Sequence, residues 1–189
     1  MQGASPYRTA ADATEDFLFH LYRGSELLQD NRVHEAKAEL EQALGLQPRD
    51  AKGQDLLAVV YFRLGMYPRA IEIYEELARA FPGDATLSQN LGLCYLKTGQ
   101  AEKARTILEA LVMAQPDNAR AFSYLGLVHE RLGDYAKARV AFERGQQPGM
   151  AKRMDELMAG GVPARSLSGP PPSPSGVFQS RPNGRLSAT

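Results

Sequence analysis

The side chains best suited to chemistry near neutral pH are His20, His34, His129 and the single cysteine, Cys94. A nucleophile needs a base within reach, and a metal needs several convergent ligands. The sequence supplies neither pattern. His129-Glu130 lacks the second histidine of the zinc motif His-Glu-x-x-His. No glycine-rich phosphate loop and no Gly-x-Ser-x-Gly elbow occurs. Cys94 stands between Leu93 and Tyr95. It is expected to be a buried structural thiol, since reactivity requires exposure and a cationic neighbour. No catalytic residue, metal or cofactor is expected.

The elements that carry these residues follow from a period. Prolines at 48, 82 and 116 stand 34 apart, which divides the chain into rows 17–50, 51–84, 85–118 and 119–152. The eighth column then reads Gly24, Ala58, Gly92, Gly126, and the twentieth Ala36, Ala70, Ala104, Ala138. The fifteenth reads Asn31, Gly65, Gly99, Gly133, and the twenty-fourth Leu40, Tyr74, Leu108, Phe142. Within a row, Leu87, Leu91, Cys94 and Tyr95 share one helical face, and Ala104, Ile107, Leu108 and Leu111 share another. Small residues let two helices approach closely. Glycine or asparagine in the fifteenth column suits the left-handed residue that ends a helix. Proline stops the second helix.

This pattern resembles the tetratricopeptide-repeat family over 17–152. The resemblance implies an all-α, right-handed α-solenoid of four helical hairpins. His20 and His129 then fall in core-facing columns, and His34 opens a second helix. Departures lie in the outer rows: His20 replaces an aromatic, Leu27 replaces another, Gly145 replaces Ala, and row 4 has Pro148 in place of the expected proline. Beyond row 4, Met150, Met154 and Leu157 have the spacing of an amphipathic helix over 149–159, expected to cap the array. The expected domain is 14–159. Residues 1–13, and the tail 160–189 with Pro170-Pro171-Pro172, are expected to be disordered.

Composition narrows function. Lys+Arg and Asp+Glu are equal at 22, which disfavours a nucleic-acid binder. No run of 18 apolar residues suggests a membrane span, and residues 1–16 hold no signal-like apolar core, so a cytoplasmic protein is expected; the leading reading is a scaffold of bacterial style.

The resemblance places function on the concave face lined by the first helix of each hairpin. The partner-binding residues it implies are Tyr22, Ser25, Lys52, Val59, Phe62, Arg63, Gln89, Asn90, Leu93, Lys97, Arg120, Tyr124, Leu127 and Arg131. These combine an apolar floor with basic edges, and the expected partner is a peptide or helix with apolar anchors and acidic residues. Of the clamp by which family members hold chaperone tails, only Asn90 and, by charge, Arg120 match, against Asp55, Val59 and Tyr124. A protein-interaction scaffold is the expected function. The alternatives are a homo-oligomeric module, the targeting arm of a larger protein or enzyme, and a chaperone for exported substrates.

Overall fold

The computed structural model describes residues 10–160. All regular structure among them is helical, and the chain divides at Ile73–Tyr74 into two compact units. The first holds α1 (Ala10–Gln29), α2 (Val33–Leu46), α3 (Ala51–Arg63) and the start of α4 (Tyr67–Ala80). The second holds the rest of α4, α5 (Ala85–Lys97), α6 (Ala101–Ala114), α7 (Ala119–Arg131), α8 (Tyr135–Arg144) and α9 (Pro148–Met158).

The turn columns fix the hairpins. Asn31, Gly65, Gly99 and Gly133 all take left-handed φ, at 60°, 73°, 78° and 78°. After each, a backbone N–H reaches back five residues, as from Arg32 to Leu27 O and from Gln100 to Tyr95 O, both at 2.8 Å. These bonds satisfy carbonyls that the helix end leaves open. A second device starts the next hairpin. Asp50, Asp84 and Asn118, also 34 apart, accept from the N–H of Gly53, Leu87 and Ala121 at 2.6, 2.9 and 3.0 Å. Such caps satisfy amides left open at a helix start.

Packing within a hairpin joins the eighth column to the twenty-fourth. In the first unit, a Cβ on Gly24 would lie 2.6 Å from Leu40 Cγ. In the second, Gly92 meets Leu108 and Gly126 meets Phe142 just as tightly, at 2.9 and 2.6 Å. Leu40, Leu108 and Phe142 are buried accordingly. Each glycine lets a large side chain lie on bare backbone.

One expectation needs correction, and the departures of row 4 find their reason. Ala10–Ala13, assigned to a disordered leader, form the first turn of α1, where good helix formers precede and follow Asp12. In row 4 the second helix is cut to ten residues, against fourteen in α2 and α6. Gln146 takes φ 58° to end it, and Pro148 opens α9. Gly145 has a reason too: a Cβ there would lie 2.7 Å from Ser123 N and 3.0 Å from Ser123 Cα. The capping helix then seals the second unit. Met154 and Ala151 are buried with Ala138 and Phe142, and Arg139 and Arg153 pair with Asp155 and Glu130 at 2.8 and 3.0 Å. The expected Pro-rich run, and the Val177-Phe178 pair within the tail, lie outside the described residues.

Candidate functional site

The chemistry-bearing residues are dispersed. Cys94 is buried, and burial pushes its thiol up to about 12. His129 is buried on α7, and burial holds its pKa below the ordinary value. His20 Nδ1 lies 2.7 Å from Glu39 Oε2, joining α1 to α2, and His34 is exposed. Among the described residues no three His, Cys, Asp or Glu side chains stand together to hold a metal ion.

In the first unit, the expected partner-binding residues separate by exposure. Tyr22 and Arg63 are exposed, Ser25 and Lys52 are half-buried, and Val59 and Phe62 are buried. Phe62 packs edge-on to Tyr67 with ring centres 5.3 Å apart. Arg63 is committed within the unit: its Nη1 donates to Leu28 O at 2.6 Å. A last-turn arginine of α3 thus satisfies a carbonyl near the C-terminal end of α1, a use that needs no ligand.

In the second unit, Asn90, Leu93 and Tyr124 are buried, while Gln89 and Leu127 are half-buried. Asn90 Nδ2 donates to Tyr74 Oη at 3.2 Å. Leu127 packs against the Ala138–Phe142–Ala151–Met154 cluster, so it supports the cap. Tyr124 Oη has no hydrogen-bond partner among the described residues; burial raises its pKa, with Arg120 acting the other way. The apolar side chains expected as an open floor therefore serve largely as packing: α5 and α7 lie directly against one another. What remains on these helices is cationic. Lys97, Arg120 and Arg131 are exposed, and no described carboxylate forms an ion pair with them. The one acid of α5 and α7, Glu130, is held by Arg153 at 3.0 Å.

Neighbouring helices treat their cations differently. Arg105 on α6 pairs with Glu102 at 2.7 Å, and Lys137 on α8 with Asp134 at 2.9 Å. Lys103 and Arg144 lie over the rings of Tyr95 and Phe122. On α6 and α8 each cation thus has a carboxylate or a ring against it, whereas Lys97, Arg120 and Arg131 have neither, a state they share with exposed Lys152 of α9.

Hairpins of this kind, with small residues facing large ones and a left-handed turn every 34 residues, define a helical-repeat protein. Tetratricopeptide-repeat profiles match residues 21–85, 61–128 and 119–144. The chain belongs to the tetratricopeptide-repeat family, and its fold class is the all-α helical-repeat solenoid. Solved structures of similar fold include TTC0263, a thermophilic tetratricopeptide-repeat protein of Thermus thermophilus, at 21% identity and TM-score 0.63 over 76% of this chain and 83% of that one. MamA from Desulfovibrio magneticus matches at 22% and 0.66, over 76% and 88%. PilF of Pseudomonas aeruginosa matches at 26% and 0.64, over 78% and 70%. No match is found among the curated proteins. Among the described residues no helix is long and apolar enough to cross a membrane.

Proposed function

We propose that the chain is a protein-interaction scaffold, not a catalyst, and that the second unit holds an acidic peptide or helix of its partner against α5 and α7. One observation carries this: Lys97, Arg120 and Arg131 stand exposed without a carboxylate partner, while the acid beside them is taken by Arg153. Helix ends alone do not account for all three. Lys97 and Arg131 occupy last turns, where the helix dipole favours cations. Arg120 lies in the first turn of α7, where that dipole opposes it. A cation kept in an unfavourable place without a local partner fits a role in binding. The apolar part of the recognition is smaller than the sequence suggested, because Val59, Phe62, Leu93 and Tyr124 are already buried. The proposal also puts the chain in the cytoplasm, where a lone free thiol such as Cys94 stays reduced.

The test uses fluorescence anisotropy with a labelled acidic amphipathic helix and its charge-reversed counterpart. Binding of the acidic probe should weaken steeply as salt is raised, and Arg120→Glu with Arg131→Glu should abolish it without lowering the melting temperature. Equal binding of both probes, or no salt dependence, refutes the proposal.

A further inference from the structure

The third column of the repeat reads Phe19, Gly53, Leu87, Ala121, and the sixth Tyr22, Leu56, Asn90, Tyr124. In the later three rows every one of these residues is buried. In the first row the same columns hold two aromatic rings, exposed by 63% at Phe19 and 61% at Tyr22, with Leu18 exposed beside them. A helical repeat buries such a face by stacking on a neighbour. A surface helix that needed no partner would carry polar residues here. The last hairpin shows the alternative: α9 covers it, with Met154 fully buried and ion pairs at Arg139–Asp155 and Arg153–Glu130.

The residues flanking the rings indicate what covers them. Along the outer stripe of α1 lie Glu15, Leu18, Phe19, Tyr22 and Arg23, all exposed. Glu15 stands four residues before Phe19 and Arg23 four residues after it. Two copies of α1 placed antiparallel about a two-fold axis at Phe19 therefore set Glu15 of each copy opposite Arg23 of the other. Such self-complementarity is what a closed, isologous dimer requires. Arg23 is free to exchange partners, since its contact with Glu26 is a 3.4 Å pair between exposed side chains. Asp12 and Glu26, seven residues either side of the axis, are both acidic and confine the contact to its central turns. A net charge of zero adds no general repulsion between copies.

We propose that α1 is a dimerisation helix, its Phe19–Tyr22 face occupied by the same face of a second copy with reciprocal Glu15–Arg23 pairs. This contact uses neither α5 nor α7 and stands apart from the acidic-partner proposal. It also takes Tyr22 out of the partner groove and gives it to the dimer.

Sedimentation equilibrium of the full 189-residue chain tests it. The wild type should have twice the 20.7 kDa chain mass. Phe19→Asp with Tyr22→Ser should have the single-chain mass with an unchanged circular dichroism spectrum, because both positions are exposed. Glu15→Arg alone and Arg23→Glu alone should each shift the population toward monomer. The double reversal, Glu15→Arg with Arg23→Glu, should restore the dimer, a rescue that only the antiparallel register provides. A monomeric wild type would overturn the proposal and leave the face to a foreign protein. A dimer that survives Phe19→Asp with Tyr22→Ser, or a double reversal that stays monomeric, would overturn it equally.

Discussion

Replacing Gly145 by alanine sets two effects of opposite sign against each other. Gly145 has φ −76°, which any residue adopts, so the chain-entropy term alone favours alanine by about 0.4–1 kcal/mol. The new Cβ, however, would stand 2.6 Å from Ser123 Oγ, 2.7 Å from Ser123 N and 3.0 Å from Ser123 Cα. Two of these three atoms are backbone of α7 and cannot rotate away. Overpacking of this kind costs about 1–3 kcal/mol. Separation of the segments would also stretch the 3.0 Å bond from Ser123 Oγ to Gly145 O. The midpoints of the two ranges leave a net loss of about 1.3 kcal/mol, and at roughly 2–4 °C per kcal/mol for a chain this size the melting temperature should fall by roughly 3–5 °C. Gly149 is the internal control. It is exposed in the first turn of α9 with no heavy atom near its Cβ position, so Gly149→Ala should raise the melting temperature slightly. Adding Ser123→Ala removes the hydroxyl but leaves the amide nitrogen, and should not rescue Gly145→Ala. Calorimetric unfolding of the four proteins is the assay. A neutral or stabilising Gly145→Ala, or full rescue by Ser123→Ala, refutes the close-approach account.

Leu93, read from sequence as groove floor, is only 6% exposed. Leu93→Ala should therefore cost about 2–5 kcal/mol in urea unfolding and Leu93→Glu more, whereas an open-floor residue would leave stability unchanged. Cys94 should resist iodoacetamide at mildly alkaline pH in the native protein and react fully in denaturant, since burial raises its thiol to about 12; native labelling at the denatured rate would contradict this. Burial holds His129 below its ordinary 6.5, so the unfolded chain binds a proton first. Its contribution to stability is present above that value and lost as pH falls below it, and His129→Gln should flatten that part of the stability–pH curve. Arg63→Ala should lower the melting temperature by a few degrees through loss of the Leu28 carbonyl partner, and Arg63→Lys should recover only part of it, the ammonium lacking the guanidinium's fixed fork.

The hairpins were legible because their determinants are local and repeat. Asn31, Gly65, Gly99 and Gly133 must be left-handed for the chain to turn, and small residues in the eighth column must face large ones in the twenty-fourth for two helices to touch. The capping aspartates and asparagine at 50, 84 and 118 were equally visible at the same spacing, yet escape a search that begins with apolar columns. Gly145 was visible only as a departure. Its meaning depends on how near α8 comes to Ser123, a distance that no pattern of residue types encodes.

The site was less legible for a related reason. A column assigns a residue to a direction on its helix, but exposure along that direction depends on how closely the next helix lies. On α5 and α7 the helices touch, and Leu93 and Tyr124 lose to packing the exposure that the column implied. Charge survives this ambiguity better than apolarity does. A buried leucine and a receptor leucine have the same side chain, whereas an unpaired Arg120 on a helix without free acids is costly to hide and so must face water or a partner. The same logic separates row 1 from the rest. A sixth-column tyrosine is core at Tyr124 and surface at Tyr22, although the residue type is identical. In the interior a neighbouring repeat covers the column; on α1 the described chain leaves it uncovered. Phe19 and Tyr22 still expose 63% and 61% of their surface, so burying both rings against a second copy would remove from water about 90–150 Å² per side chain, an apolar drive that no other exposed face of α1 supplies.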